Sequence, residues 1–251
     1  YSQGIDTGKG KECGREKALE YLRKKGIDNG GWDYVHAHPM IFNDAEVELH
    51  YRLSISHNLF KNRKIQGFWG SHVADFFAGK AELPCGEIVC PSDYIHLFYL
   101  LHHAFRHLIS GGIGLRQMMD IYFAILRRDA GMDARLMKNV NDMGMTRFAS
   151  ASMWVLRTVF ALPEIPSLWN ADEAEGQFLL NEIMAGGNFG HGDTRFRHPT
   201  SRAGKLVEIA RRNLHLLSHY ESDALSAPFY YIWHFFWKRI QICRMWFRCR
   251  A

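Results

Sequence analysis

The chain has 251 residues, 47% hydrophobic and 14% aromatic, enough apolar material for one large domain or two small ones; this excludes a disordered tail. Basic residues number 31 against 26 acidic, a formal net charge of +5. So mild an excess fits a protein that handles phosphates or anionic partners but does not require one. Five cysteines (Cys13, Cys85, Cys90, Cys243, Cys249) form an odd set with no CxxC pair. That argues against a disulfide framework or a zinc ribbon and for reduced thiols in a cytoplasmic protein. The opening residues are polar and Gly-rich, without a signal-peptide pattern. No stretch reaches the roughly 20 apolar residues of a spanning helix, so a soluble protein is expected. The nearest, Phe229 to Trp237, is short and contains His234.

In chain order, Tyr1 to Gly10 lacks a hydrophobic period and reads as loop or strand remnant. Ala18, Leu19 and Leu22 recur at helical spacing between Arg15 and Lys25, and Gly26 stops the run. Tyr34 to Phe42 is rich in β-formers, with Pro39 arguing for an edge or a bulge, and Asn43-Asp44 signals a turn. Ala45 to Leu53 then alternates, with Val47, Leu49, Tyr51 and Leu53 on one face and Glu46, Glu48, His50 and Arg52 on the other. Period two with one apolar face predicts a half-buried strand, hence a hairpin.

Beyond Phe60 the character changes. Ser92 caps a helix whose apolar stripe is Leu97, Phe98, Leu101, Ala104, Phe105 and Leu108, ended by Gly111-Gly112. Gly114 to Arg128 gives another, with Leu115, Met118, Met119, Tyr122, Phe123 and Leu126 expected inward. Helices follow at about 133–143, 146–161, 172–184, 203–219 and 226–247, with a charged Gly-rich loop over 186–204. The fold class expected is α+β: a small αβ head, residues 1–80, and a helical body, residues 81–251, with no internal repeat.

Several groups bear on chemistry. The row Glu46, Glu48, His50, Arg52 is either the solvated side of a sheet or a rigid strand from which Glu48 offers a carboxylate to Mg²⁺, a hard cation that prefers oxygen. Asp6 is a lone carboxylate among glycines, a pattern more common in turns than in metal sites. Helix 92–109 carries His96, His102, His103 and His107; His103 and His107, four apart, share a face. With no HExxH pattern and no His-Asp dipeptide, bracing a seam outweighs a His-ligated metallohydrolase. The glycines before Arg116 could cradle phosphate at a helix start, though a simple turn is the commoner case, and Arg116 and Asp120 are spaced to pair. The loop Gly186 to Asp193, followed by Arg195, Arg197, Arg202 and Lys205, is either a phosphate contact or a solvated connection. The last helix mixes Phe229, Tyr230, Trp233, Phe236 and Trp237 with Lys238, Arg239, Arg244, Arg248 and Arg250. Such a stripe is more often packed on neighbouring helices than laid on a membrane or nucleic acid.

In order, Val47-Glu-Leu-His-Tyr-Arg-Leu53, Leu101-His-His-Ala-Phe-Arg-His107, Gly112-Ile-Gly-Leu-Arg-Gln-Met-Met-Asp-Ile121 and Gly186-Gly-Asn-Phe-Gly190 resemble the bacterial uncharacterised nucleotidyltransferases, a branch of the polymerase-β-like superfamily. The resemblance runs from about residue 4 to 237. It implies a polymerase-β-like mixed-sheet head, a helical body, and Mg²⁺-dependent transfer of an NMP group from an NTP to a hydroxyl. It carries Glu48 over as a metal carboxylate; Asp6 is expected to join it as a catalytic metal ligand, Arg52 or Arg116 to meet the phosphates of the nucleotide, and His103 and His107 to line or brace the seam between head and body. The family's strand carries two aspartates where this chain has only Asp6, and its upstream helix with a phosphate-holding turn is missing from the sequence. That implies either a piece of a longer protein or a degenerate member binding a nucleotide or a partner, antitoxin-like or accessory to polysaccharide synthesis. The acceptor, the base and the oligomeric state stay open, and no motif indicates nucleic acid.

Overall fold

The computed structural model describes residues 20–22, 24, 35–42, 45–50, 52–84, 86–187, 192–196 and 201–248. Residues 20–22 and 24 are helical, inside the first helix expected. Strands β1 (His36–Phe42) and β2 (Ala45–His50) pair antiparallel as the predicted hairpin. Between the pairs Ala37–Leu49 and Met40–Val47 the register slips, so His38 and Pro39 together face Glu48. This is the bulge that Pro39 announces: a residue without an N–H cannot serve a regular ladder.

Helix α1 (Leu59–Ser71) follows, its first turn capped by the Asn58 side chain, which accepts from the Phe60 and Lys61 N–H groups. A short 3-10 turn (Ala74–Phe77) leads to a second antiparallel hairpin, β3 (Gly79–Leu83) and β4 (Gly86–Cys90). The helical body comprises α2 (Asp93–Ser110), α3 (Leu115–Arg127), α4 (Asp133–Asp142), α5 (Thr146–Phe160), α6 (Glu173–Gly186), α7 (Arg202–Leu216) and α8 (Glu221–Arg248). Ser92 caps α2 as expected, accepting from the Ile95 N–H. The architecture is α+β, mainly helical, with two two-stranded sheets among the described residues.

Helix α2 is the spine. Ile95, Leu97, Phe98, Leu101 and Leu108 are fully enclosed, and one continuous core extends from Ile65 on α1 to Ala224 on α8. Helices α5 and α6 pack closely because Gly176 leaves room for the Trp154 side chain. A satellite cluster of Val35, Ile55 and Tyr230 ties the first hairpin to α8.

Three expectations need correction. Helix α3 faces inward with Met118, Ile121, Ala124 and Ile125, whereas Leu115, Met119, Phe123 and Leu126 are exposed. Its apolar residues form an arc opposite Arg116, Gln117, Asp120 and Arg127 that is broader than the core can cover, and only one edge of that arc is buried. Helix α1 and the β3–β4 hairpin were not anticipated. Only Ile65, Phe68 and Trp69 of α1 are buried, and the strands are largely exposed, leaving little pattern to read. Helix α8 begins at Glu221, before Pro228, where a start near residue 226 was expected. Tertiary anchors hold its first turns: Lys61 Nζ lies 2.5 Å from Asp223 Oδ2, the Asn58 amide donates to Ser226 Oγ at 3.1 Å, and Ala224 is buried. Among the described residues no helix is long and apolar enough to cross a membrane.

Candidate functional site

Where β2 ends, the chain runs across α2 and then under α8, and this crossing gathers the polar groups. The Arg52 N–H donates to the Val35 carbonyl at 3.1 Å, closing the mouth of the hairpin. Ser54 Oγ lies 2.6 Å from His102 Nδ1, with both residues buried, and the Ser54 carbonyl accepts from the Gln66 amide at 2.8 Å. His57, buried three residues after Ser54, stacks on Tyr230 with ring centroids 4.4 Å apart. On α2, His103 Nε2 and His107 Nε2 are 3.0 Å apart, and the Tyr99 ring stacks on His103.

Proton positions follow from the donors. A guanidinium only donates, and Arg106 Nη2 is 3.4 Å from His107 Nε2, so that nitrogen is an acceptor and His103 Nε2 carries the shared proton. Burial, reinforced by the nearby Arg106 charge, depresses His102 and His107 to about 3. Burial likewise brings His57 to about 4, with Arg106 and His234 adding to it. His50 also acts on His107, which sets the end of β2 beside the last turn of α2. His57, His102 and His107 are thus neutral imidazoles near a guanidinium.

The residues singled out in the sequence fall as follows. Glu48 lies on β2, opposite the bulge and two residues before His50. Arg52 follows the same strand, and His103 and His107 meet on α2 as a braced pair. Arg116 stands exposed in the first turn of α3, just past the Gly111–Gly114 connection from the end of α2 that carries His107. It makes no ion pair with Asp120 among the described residues, contrary to their spacing. Asp6 lies outside the described residues. Sequence reasoning missed His57, the Ser54–His102 contact and Arg106, although the last stands within the run Leu101 to His107. Among the described residues no three His, Cys, Asp or Glu are grouped to hold a metal ion.

A cleft of about 730 Å³ opens at the other end of α2, between β3–β4, α2 and α3. Tyr99 and Phe123 supply rings, and Asp93, His96, Asp120 and Arg127 supply polar groups. None of those four polar side chains is hydrogen-bonded or ion-paired among the described residues. The loop after α6 carries no comparable invitation to phosphate. Arg195 is engaged by Glu182, at 2.6 and 3.1 Å, and by Asp193, at 3.0 and 2.8 Å, while His215 Nε2 sits 2.8 Å from Glu182. Arg195 therefore pins the loop to α6. Burial works to raise the Glu182 carboxyl, but the Arg195 and His215 hydrogen bonds outweigh it and hold the group below its usual range. On α8 the aromatic stripe is split: Tyr230 is buried, whereas Phe229 and Phe236 are exposed.

A family model described as "Uncharacterised nucleotidyltransferase" matches residues 11–161, more than half of the chain, and the chain belongs to that family. The matched span holds Glu48, Arg52, His103, His107 and Arg116, together with every element from β1 to α5. Asp6 and helices α6 to α8 lie outside it. No curated protein and no solved structure matches the chain.

Proposed function

We propose that this protein moves an NMP group from an NTP to a hydroxyl acceptor, using a polymerase-β-like head (residues 1–80) set against the helical body (81–251). Membership of the nucleotidyltransferase family carries this reading. Further support comes from Glu48, which sits on a strand opposite a β-bulge, a device common beside active sites. In the reaction the acceptor oxygen attacks the α-phosphorus, the P–O bond to the β-phosphate breaks, pyrophosphate leaves, and the hydroxyl proton passes to a base or to water.

Asp6 and Glu48 offer the hard oxygen donors that suit Mg²⁺, and they are the residues that would hold it. When bound, that ion supplies neutralisation of the charge on the transferring phosphate. Arg52 and Arg116 meet the phosphates, and His103 with His107 braces the floor of the nucleotide seam. The cleft is assigned to the acceptor: His96, on its wall, is seven residues along α2 from His103, about 10 Å of helix rise.

Glu48→Gln tests the reading. Mg²⁺-dependent NTP turnover is expected to vanish while the circular dichroism spectrum and urea midpoint stay those of the parent; undiminished turnover removes Glu48 from the site. The single aspartate at Asp6 favours a second reading, a degenerate nucleotide- or partner-binding protein. Thermal stabilisation by NTP only with Mg²⁺ supports the enzyme, since a ligand bound to the native state raises stability by mass action. No shift at millimolar NTP supports the degenerate protein.

A further inference from the structure

From residue 224 onward the sequence contains no aspartate or glutamate and five bases: Lys238, Arg239, Arg244, Arg248 and Arg250. These account for the whole net charge of +5, leaving 26 basic and 26 acidic residues in the rest of the chain. The same segment forms most of α8, which buries Ala224, Ala227 and Tyr230 against the body. The opposite face stays open: Leu225 is 60% exposed, Phe229 70%, Ile232 55%, Phe236 60% and Ile240 53%. Steps of four, three, four and four residues put these on one continuous stripe. Lys238 and Arg239 are exposed near its end, with the Arg239 guanidinium 5.0 Å from the Phe235 ring.

We propose that this face of α8 docks on an anionic lipid surface, lying in the interface and not crossing it. An apolar stripe flanked by Arg239, on a helix whose sequence carries only basic charge beyond residue 224, meets both demands of a charged bilayer, buried hydrocarbon and headgroup neutralisation. Nucleic acid fits less well, because Leu225, Ile232 and Ile240 provide no ring for a base to stack on. A second copy of the chain paired in parallel would bring two cationic ends together, and from residue 224 neither carries an acid to pair them. The helix lies outside the residues matched by the family model, and the proposal does not rest on the proposed nucleotidyl transfer.

The test is co-sedimentation of the full chain with phosphatidylcholine vesicles, with and without a quarter of phosphatidylglycerol. Partition onto the anionic vesicles is expected to exceed that onto neutral ones by roughly tenfold, and to weaken at high salt. The double variant Phe229→Asp with Phe236→Asp, at exposed positions, keeps the parent's urea midpoint and loses at least about tenfold in partition. Lys238→Gln with Arg239→Gln lowers the preference for the anionic vesicles. Four outcomes overturn the proposal: no co-sedimentation, equal partition of the Phe229→Asp, Phe236→Asp variant, a dimer in light scattering that this variant dissolves, or displacement from vesicles by single-stranded RNA without need of Phe229 and Phe236.

Discussion

Lowering the pH from 7 to 5 should destabilise this protein steeply, because it folds around imidazoles that cannot accept a proton in place. His102 and His107 stand at about 3 and His57 at about 4 in the folded state, against 6.5 for the free side chain. Below pH 6.5 the unfolded chain therefore binds protons that the native state refuses. Stability is complete above about pH 6.5 and is lost as the pH falls toward the folded values. At about 1.4 kcal/mol per pH unit, the fall to pH 5 costs about 2 kcal/mol each for the enclosed His57 and His102. His107 is partly open to water, and discounting it to about 1 kcal/mol gives about 5 kcal/mol in all. That is comparable with the about 5–15 kcal/mol that holds a domain together. The carboxylates Glu182 and Asp193 are held low in the native state, so their stabilisation fades only below pH 4.5, the free value of a Glu. The interval from 6.5 to 5 thus isolates the histidines. Urea midpoints at pH 7, 6 and 5 measure the slope, and imidazole NMR shifts identify the rings. Equal midpoints at pH 7 and 5, or three rings titrating near 6.5, would refute the neutral seam.

Ser54→Ala removes the partner of His102 Nδ1 in a buried site and is expected to cost about 1–3 kcal/mol in urea unfolding, with Ser54→Thr close to the parent. Arg195→Ala strands two buried carboxylates and should cost about 2–3 kcal/mol, with Arg195→Lys recovering only part because it lacks the planar fork. Gly176→Ala reverses the ordinary sign. A helical glycine usually gains about 1 kcal/mol on becoming alanine, but here the new methyl would sit 2.6 Å from Trp154, so a loss of about 1–3 kcal/mol is expected. A higher melting temperature for that variant would show that α5 and α6 can part freely.

What the sequence discloses here is local. Ser92 and the stripe from Leu97 to Leu108 announce α2, and Pro39 announces the bulge, because each is a matter of neighbours along the chain. The His103–His107 contact is legible for the same reason, one helical turn of spacing. The buried edge of α3 is not, since Met118, Met119, Ile121, Phe123 and Leu126 spread over a broad apolar arc and only packing selects which edge of it turns inward. Nor is the rest of the seam. Ser54 meets His102 across 48 residues, and His57 meets Tyr230 from the far end of the chain. Such contacts are set by how α2 and α8 pack, which no spacing encodes.

The shared interior also bears on inheritance. The family span stops at residue 161, yet Leu168, Trp169, Leu179, Ile183, Leu216 and Tyr220 are built into the same core as α2. A nascent chain synthesised only as far as α5 has an open hydrophobic flank, and it must wait for α6 to α8 before it can close. The matched segment is therefore not a detachable module. Transplanting it to another protein would need a new set of helices to stand where these do, and change in the later helices is limited by the half they cover.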